Sequence, residues 1–291
     1  MIKHHVGIIG GSGLYAMLDF DASREEQVRT PFGDPSGPVT LGELGSTRFY
    51  FLPRHGPFHQ LAPHRVNYRA NVYALKLLGA RQIVSVSAVG SLQEHIRPGD
   101  LVLPDQFIDR SHSRATTFFE DDSIVAHVSL ADPTDAALSA CLGEAAGRCG
   151  VQVHHSGTYV CIEGPQFSTR AESRFFRQMG ADVVGMTNLP EARLSREAEL
   201  PYASCCLVTD YDSWRANEGA VRVDEVVAIL QQNSQVARDM LRRIDAWPDP
   251  EQSPASSALR DSFISDRRYA SSHARERLAL LIGKYFSVEP V

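Results

Sequence analysis

The chain of 291 residues contains no run of eighteen apolar residues, no HExxH, no paired Cys/His spacing and no excess of basic charge. Each absence removes a class of function. Without a long apolar run there is no candidate transmembrane helix. The N-terminus, MIKHHVGIIGGSGLY, lacks the small-residue cleavage site of a secretory signal, so a cytoplasmic protein with no membrane partner is expected. A net charge of -6 offers no basic face to a phosphate backbone, which points away from nucleic acid and toward small molecules. The five cysteines are odd in number and mostly lie in apolar surroundings, as reduced core cysteines do. The eleven histidines form no metal-ligand pattern, so no metal is expected. What is present is 43% hydrophobic content, enough for a full core, with no internal repeat.

The chain opens with an apolar strand, VGIIG, that runs into a glycine turn, GGSG, followed by a polar region to about residue 38. TRFYFLPRHG reads as a strand ending in a basic loop. Residues 66–80 carry helical spacing through Val66, Ala70, Tyr73 and Leu77 and close on a glycine C-cap. QIVSVSAVG, LVLPDQFID and GTYVCIEG read as strands, the last two separated by a helix with Asp132 as N-cap and Pro133 just inside. From Thr169 helices and strands alternate regularly, ending in a long helix from about Val223 to Ile244, and that alternation argues for an α/β sandwich around a central sheet. Residues 246–257 form a Pro/Ser-rich linker. Beyond it, Leu278, Leu281 and Ile282 make an apolar stripe too small to fold alone, which must dock on the main domain or on another subunit.

GIIGGSGLYA contains G-x-G-x-x-A at Gly11, Gly13 and Ala16, the minimum dinucleotide fingerprint. A nicotinamide site also needs a second strand closing on an acidic residue roughly 20 residues later. The polar stretch 17–38 supplies none, which leaves a plain turn or a backbone cradle for an anion with the Ser12 hydroxyl. Arg54 and His55 end one strand, Ser87 and the N–H after it end another, and Thr187 ends a third. Each alone fits solvated surface or backbone satisfaction. Together they converge where open α/β sheets bind ligands, at strand ends. Thr169-x-x-Glu172 and Asn188-x-x-Glu191 fit capping boxes, so Thr169 and Asn188 are expected to cap helices, while Glu163 is ambiguous.

With GIIGGSG, RHG, NYRAN, SAVGSL, EGPQFSTRAES, GMT and TDYD in this order, the chain resembles the nucleoside phosphorylase superfamily and, more narrowly, the trimeric S-methyl-5′-thioadenosine phosphorylases. The similarity runs from about residue 5 to 245. It implies a single α/β domain over residues 1–245 with a mixed, partly barrel-like sheet flanked by helices. A helical extension over 258–291 follows the linker. It also implies a homotrimer with no metal or organic cofactor, phosphate being a co-substrate. Residue by residue, the resemblance makes phosphate ligands of Ser12, Arg54, His55, Ser87, Ala88 through its N–H, and Thr187. Met186 falls to the ribose, Phe167 to the purine face, and Ser168, Asp210 and Asp212 to the base, with Tyr211 also among the substrate-binding residues. His59, Val223 and Val226 fall to the 5′ substituent. Ser168 and Val223 would set specificity.

Phosphorolysis of an N-ribosyl bond needs no protein nucleophile, because phosphate attacks the anomeric carbon and the protein supplies fixed donors for it. The purine must not leave as an anion. Asp210 is the candidate acid, since burial and a neighbouring carboxylate both favour its protonated form. An ionised carboxylate facing a 6-oxo group would set acceptor against acceptor, so the pair Asp210 and Asp212 points to a 6-aminopurine. The alternatives are a broader purine nucleoside phosphorylase and a non-catalytic nucleoside-binding protein.

Overall fold

The structure, a computed structural model, describes residues 1–11, 23–120, 123–215 and 235–286. Its described strands form one sheet. They are β1 (His4–Gly10), β2 (Ser23–Glu26), β3 (Val39–Leu44), β4 (Thr47–Pro53), β5 (Gln82–Ser91), β6 (Leu101–Val102), β7 (Gln106–Arg110), β8 (Val153–His154), β9 (Thr158–Ile162), β10 (Val183–Gly185) and β11 (Tyr202–Asp210). Among the helices that cover it are α1 (Tyr68–Leu78), α2 (Ala136–Gly147), α3 (Arg170–Gln178) and α4 (Asn188–Glu197), and two short ones, α5 (Ser272–Arg277) and α6 (Ala279–Ile282), follow near the end of the described chain. Residues 235–242 are also helical.

The centre is four parallel strands, β4-β1-β5-β11, buried on both faces, and their side chains alternate between two cores with the period of two that a pleated strand imposes. Ile9, Tyr50, Leu52, Ile83, Val89, Tyr202, Cys206 and Val208 face one core, which α1 and α4 cover. Ile8, Phe49, Phe51, Val84, Val86, Ala203, Cys205 and Leu207 face the other, covered by α2 and by Ala237, Met240 and Leu241 of the helix over 235–242. The two-sided covering makes this an α/β sandwich.

The sheet forks at β5, and the fork positions the cleft. On one edge β5 pairs in parallel with β1 only as far as Ser85 and antiparallel with β10 only from Gly90; on the other it pairs with β11 from Ile83 to Gly90. Residues 86–89 therefore have no ladder partner among the described residues on the β1 edge. In a strand, N–H and C=O of one residue point to one neighbour and those of the next residue to the other. The Ile83 N–H donates toward β11, to Pro201 O (2.8 Å), so the even-numbered groups, including the Ala88 N–H, face the open fork. At the matching point of β11 the register shifts between Val208 and Asp210, a bulge at Thr209 that turns Asp210 toward the same opening.

Several local expectations are corrected. The stretch 17–38 does contain a strand, β2, but it pairs antiparallel with β3 at the sheet's edge, three positions from β1, and cannot serve as the second strand of a dinucleotide unit. LVLPDQFID divides into β6 and β7, which lie in different parts of the sheet. Asp135, not Asp132, caps α2, accepting from the Leu138 N–H at 2.8 Å. Leu77 is exposed; the buried face of α1 runs through Tyr68, Val72, Tyr73 and Leu75, and Gly79 closes it in the left-handed region at φ 105°, as expected. Thr169 and Glu172 form the expected capping box. Leu278, Leu281 and Ile282 are buried in the same core as Val72 and Tyr73 of α1, and Lys284 and Tyr285 both reach Glu199 after α4. The start of the long helix expected from Val223 lies outside the described residues.

Candidate active site

The fork opens a cleft of about 330 Å³, lined mainly by apolar groups, at the C-terminal ends of the parallel strands. One wall comes from Gly11, Arg54, His55 and His59, the floor from Val86–Gly90, and the far wall from Ile162, Pro165, Phe167, Ser168 and Val184–Thr187. Asp210 and Asp212 close one end.

At the opposite end lies a buried polar layer that follows from strand parity. Ser85 and Ser87 of β5 and Ser204 of β11 point to the α4 side, where a hydroxyl must find a partner. Asn188 provides it: its Oδ1 accepts from Ser87 Oγ (2.9 Å), and its Nδ2 donates to Ser204 Oγ (2.7 Å). Ser87 Oγ is also 3.3 Å from Thr187 Oγ1, so two hydroxyls meet beside the open Ala88 N–H. Tyr159 Oη accepts from the Thr187 N–H (3.2 Å), and Gly185 is required there because any β-carbon would collide with that tyrosine. The capping box expected at Asn188 and Glu191 is therefore overturned. Thr187 occupies the cap position without a side-chain cap bond, and Leu189 is extended (φ -119°, ψ 134°).

Glu191 instead pairs with Arg54, both side chains being at most 2% exposed: Nε donates to Oε2 (2.9 Å) and Nη2 to Oε1 (3.2 Å). Arg54 further donates to Val86 O and Ile9 O (both 3.1 Å) and to Ser85 Oγ (2.7 Å). Burial opposes its charge, but the Glu191 carboxylate more than offsets that and keeps it protonated. Most of its fork is thus spent on the protein, leaving one Nη1 hydrogen for the cleft. His55 is held by Leu61 O at 2.8 Å from Nδ1 and stacks on His59 at 4.5 Å between ring centres. Burial first, and then the neighbouring Arg54 charge, push the His55 imidazole down to about 4. It is neutral at pH 7. Since a carbonyl only accepts, Nδ1 carries the proton and Nε2 is an acceptor.

At the other end, burial raises both carboxyl groups above the ordinary range. Asp210 is partly offset by Thr209 Oγ1, which donates to Oδ2, and by the Asp212 N–H, which donates to Oδ1, both at 2.7 Å. Gly90 makes room for it, as a β-carbon would stand 2.9 Å from Oδ1. Asp212 sits at φ 47°, left-handed for a residue with a side chain. Ser173 and Ser168 lie close enough to favour its charged form, yet neither completes a hydrogen bond to it. Asp212 Oδ2, Ser168 Oγ and Ser173 Oγ are left without partners among the described residues. Two of these residues, Asp212 and Ser168, line the cleft, and their unsatisfied atoms are what an incoming heterocycle with its own donors and acceptors would complete.

The sequence profile of the Phosphorylase superfamily matches residues 5–244. The chain belongs to that superfamily. It is 50% identical over 282 residues to an S-methyl-5′-thioadenosine phosphorylase of Geobacter sulfurreducens, an alignment covering 96% of this chain and 98% of the relative. Against the protein of the same name from Hyperthermus butylicus it is 49% identical, covering 90% and 97%. Among solved structures, a methylthioadenosine phosphorylase from an antarctic soil metagenomic library superposes with a TM-score of 0.89 at 46% identity, covering 97% of this chain and 99% of that one. A methylthioadenosine phosphorylase from Schistosoma mansoni in complex with adenine gives 0.80 at 36% identity, covering 97% and 98%.

In this phosphorylase, Arg54, His55, His59, Ser87, Ala88, Phe167, Ser168, Met186, Thr187, Asp210 and Asp212 all line the one cleft. Tyr211 does not; its ring packs on Trp214 and lies 3.4 Å beneath the Arg215 guanidinium. Ser12, Val223 and Val226 fall outside the described residues. Sequence reasoning missed Glu191 and Asn188 as organisers of the buried polar layer. The available signal was parity: hydroxyls at 85, 87 and 204 on strands otherwise apolar on that face require a polar partner above them.

Proposed function

We propose that the protein catalyses the reversible phosphorolysis of S-methyl-5′-thioadenosine to adenine and S-methyl-5-thio-α-D-ribose 1-phosphate. The observation that carries this reading is the polarity of the cleft. Hydroxyls and an open N–H gather at one end, two carboxyl groups with raised pKa at the other, and an apolar span lies between. The names of the relatives point the same way.

Phosphate would bind between the Ala88 N–H, the Ser87 and Thr187 hydroxyls, the remaining Arg54 hydrogen and Ser12, with its own P–OH donating to neutral His55 Nε2. Its oxygen attacks the anomeric carbon as the bond to purine N9 breaks. The electron pair leaves on the base, and protonated Asp210 gives its proton to ring nitrogen 7. Met186 lies against the ribose, Phe167 at the rim against the purine, and Asp212 with Ser168 beside the exocyclic 6-amino group. His59, Val223 and Val226 take the methylthio group. No cofactor enters, and the assembly we infer is a cytoplasmic homotrimer of a 1–245 catalytic domain, with 246–257 as linker and 258–291 as extension. The test is adenine release with and without phosphate, on the 6-amino nucleoside and its 6-oxo analogue. Phosphate-independent release sinks the reaction type, and equal kcat/KM for the two nucleosides sinks the base assignment.

A further inference from the structure

Arg114 lines no part of the cleft and belongs to none of the sequence motifs, yet its side chain is only 1% exposed and its guanidinium is almost entirely committed. Nη1 donates to Met186 O and Leu189 O, both at 2.7 Å, and Nη2 donates to Glu163 O (2.8 Å) and Ile162 O (3.2 Å). Its plane stacks 5.4 Å from the centre of the Tyr68 ring at the start of α1. The loop that carries it is turned inward by Glu163, whose carboxylate accepts from the His112 N–H (2.9 Å) and from Ser113 Oγ and lies 3.6 Å from Arg114 Nε.

The four carbonyls belong to two segments that separate at this point. The β9–β10 ladder ends at the pair Cys161 and Gly185. Beyond it one segment continues through Ile162 to Phe167 and Ser168, the proposed purine wall, and the other through Met186 to Thr187, the proposed ribose and phosphate wall. Where the backbone ladder stops, four N–H donors in one rigid plane continue it.

We propose that Arg114 is a positioning residue that braces the purine-binding wall against the ribose- and phosphate-binding wall, fixing the distance across which phosphate must meet the anomeric carbon. The inference rests on the phosphorolysis reading. Most groups proposed for phosphate (Arg54, His55, Ser87 and Ala88) and the two carboxyl groups proposed for the base stand outside the two braced segments, so the brace governs alignment in the ternary complex more than either separate affinity. A misplacement near 1 Å costs a rate of the order of 10²-fold. A lysine keeps the charge opposite Glu163 but, as a point donor on a flexible stem, cannot span four carbonyls.

Arg114→Gln and Arg114→Lys, compared with the unaltered protein, test this. Thermal midpoint, kcat, KM for phosphate, and the Kd of adenine alone by calorimetry would be measured. Expected in both variants is a kcat reduced about 10²-fold, with phosphate KM and adenine Kd within about threefold. Full kcat in Arg114→Lys would mean that charge suffices and overturns the brace. So would a lowered thermal midpoint with unchanged kcat per folded subunit, or a loss confined to phosphate KM. Should Arg114→Gln fail to fold, the same comparison rests on Arg114→Lys. Phosphate-independent base release by the unaltered protein defeats the phosphorolysis reading itself, an outcome separate from a phosphate-dependent enzyme that tolerates both substitutions.

Discussion

Replacing Asp210 by asparagine isolates the proton from the shape. In the protonated state expected of a buried carboxyl, one Asp210 oxygen accepts the Asp212 N–H at 2.7 Å and the other lies 2.7 Å from Thr209 Oγ1, which can in turn donate to Val89 O at 3.2 Å. Asparagine reproduces that pattern, its Oδ1 accepting from Asp212 and its Nδ2 donating to Thr209. No buried group is orphaned. The stability cost is therefore within about 0.5 kcal/mol. The rate is another matter. Asparagine donates a hydrogen bond but cannot transfer a proton, so kcat for the 6-amino nucleoside should fall by about 10²- to 10⁴-fold, equivalent to about 3–5 kcal/mol of barrier.

The pH profile carries the sign. As the proposed acid Asp210 must be protonated to act, and burial raises its pKa, so kcat/KM of the unaltered enzyme should decline as pH rises through that raised value. Asp210→Asn should lose that limb along with the rate, while its thermal midpoint and nucleoside KM stay close to normal. The assay is steady-state release of adenine from S-methyl-5′-thioadenosine at saturating phosphate across the pH range. Near-normal turnover would show that another group protonates the base, and a profile that keeps its alkaline limb would show that the limb was never Asp210's.

Thr187→Ala should raise phosphate KM several-fold and leave the thermal midpoint nearly unchanged, whereas Arg54→Ala, which strands Glu191 in the core, should cost about 3–5 kcal/mol of stability in denaturant titration. Equal phosphate KM in Thr187→Ala and the unaltered enzyme would remove that hydroxyl from the anion site. Glu197 accepts from Thr117 Oγ1 (2.7 Å) and the Phe118 N–H (2.8 Å), and burial pushes it from 4.5 up to about 7. Because its folded pKa is raised, its contribution to stability is greatest below pH 4.5 and falls as pH rises to 7, by about 3 kcal/mol over the window. Glu197→Gln mimics the protonated form and should remove that slope; identical stability-against-pH curves would refute the assignment.

What was legible in the sequence and what was not divide along a physical line. The parallel strands were legible because a strand buried on both faces leaves a continuous apolar run, as in VGIIG and YASCCLV, and Asp210 stood out because a carboxylate ending such a run must be accounted for. The groups that organise the cleft were not. Arg54 meets Glu191 across 137 positions, and a glutamate three residues after an asparagine looks like half of a capping box until the strand beneath it is known. Arg114 sits in a loop with no periodicity, and four of its partners are backbone carbonyls, which every residue carries. Long-range pairing to backbone leaves no trace in residue type. The edge pair β2 and β3 was overlooked for a different reason: β2, SREE, is largely exposed and carries no apolar alternation.

One structural cause unites the proposed anion end, the carboxylate end and the proposed brace. A sheet normally satisfies its strands' N–H and C=O groups with neighbouring strands, and buried backbone groups left out must find other partners. Here β5 exchanges β1 for β10 along one edge, and the gap between the last pair with β1 at Ser85 and the first with β10 at Gly90 leaves backbone groups turned into the protein rather than to solvent. The protein fills part of that gap itself: Arg54 takes the Val86 carbonyl, and Arg114 takes four carbonyls where β9 and β10 part. The two arginines take acceptors, while the Ala88 N–H and the Ser87 and Thr187 hydroxyls face the cleft, where we propose that the anion binds. Both arginines have carboxylates nearby, Glu191 hydrogen-bonded to Arg54 and Glu163 more loosely placed at 3.6 Å from Arg114. In the proposed site, selectivity for phosphate would rest on N–H and hydroxyl geometry rather than on a surplus of positive charge, in keeping with a chain whose net charge is -6.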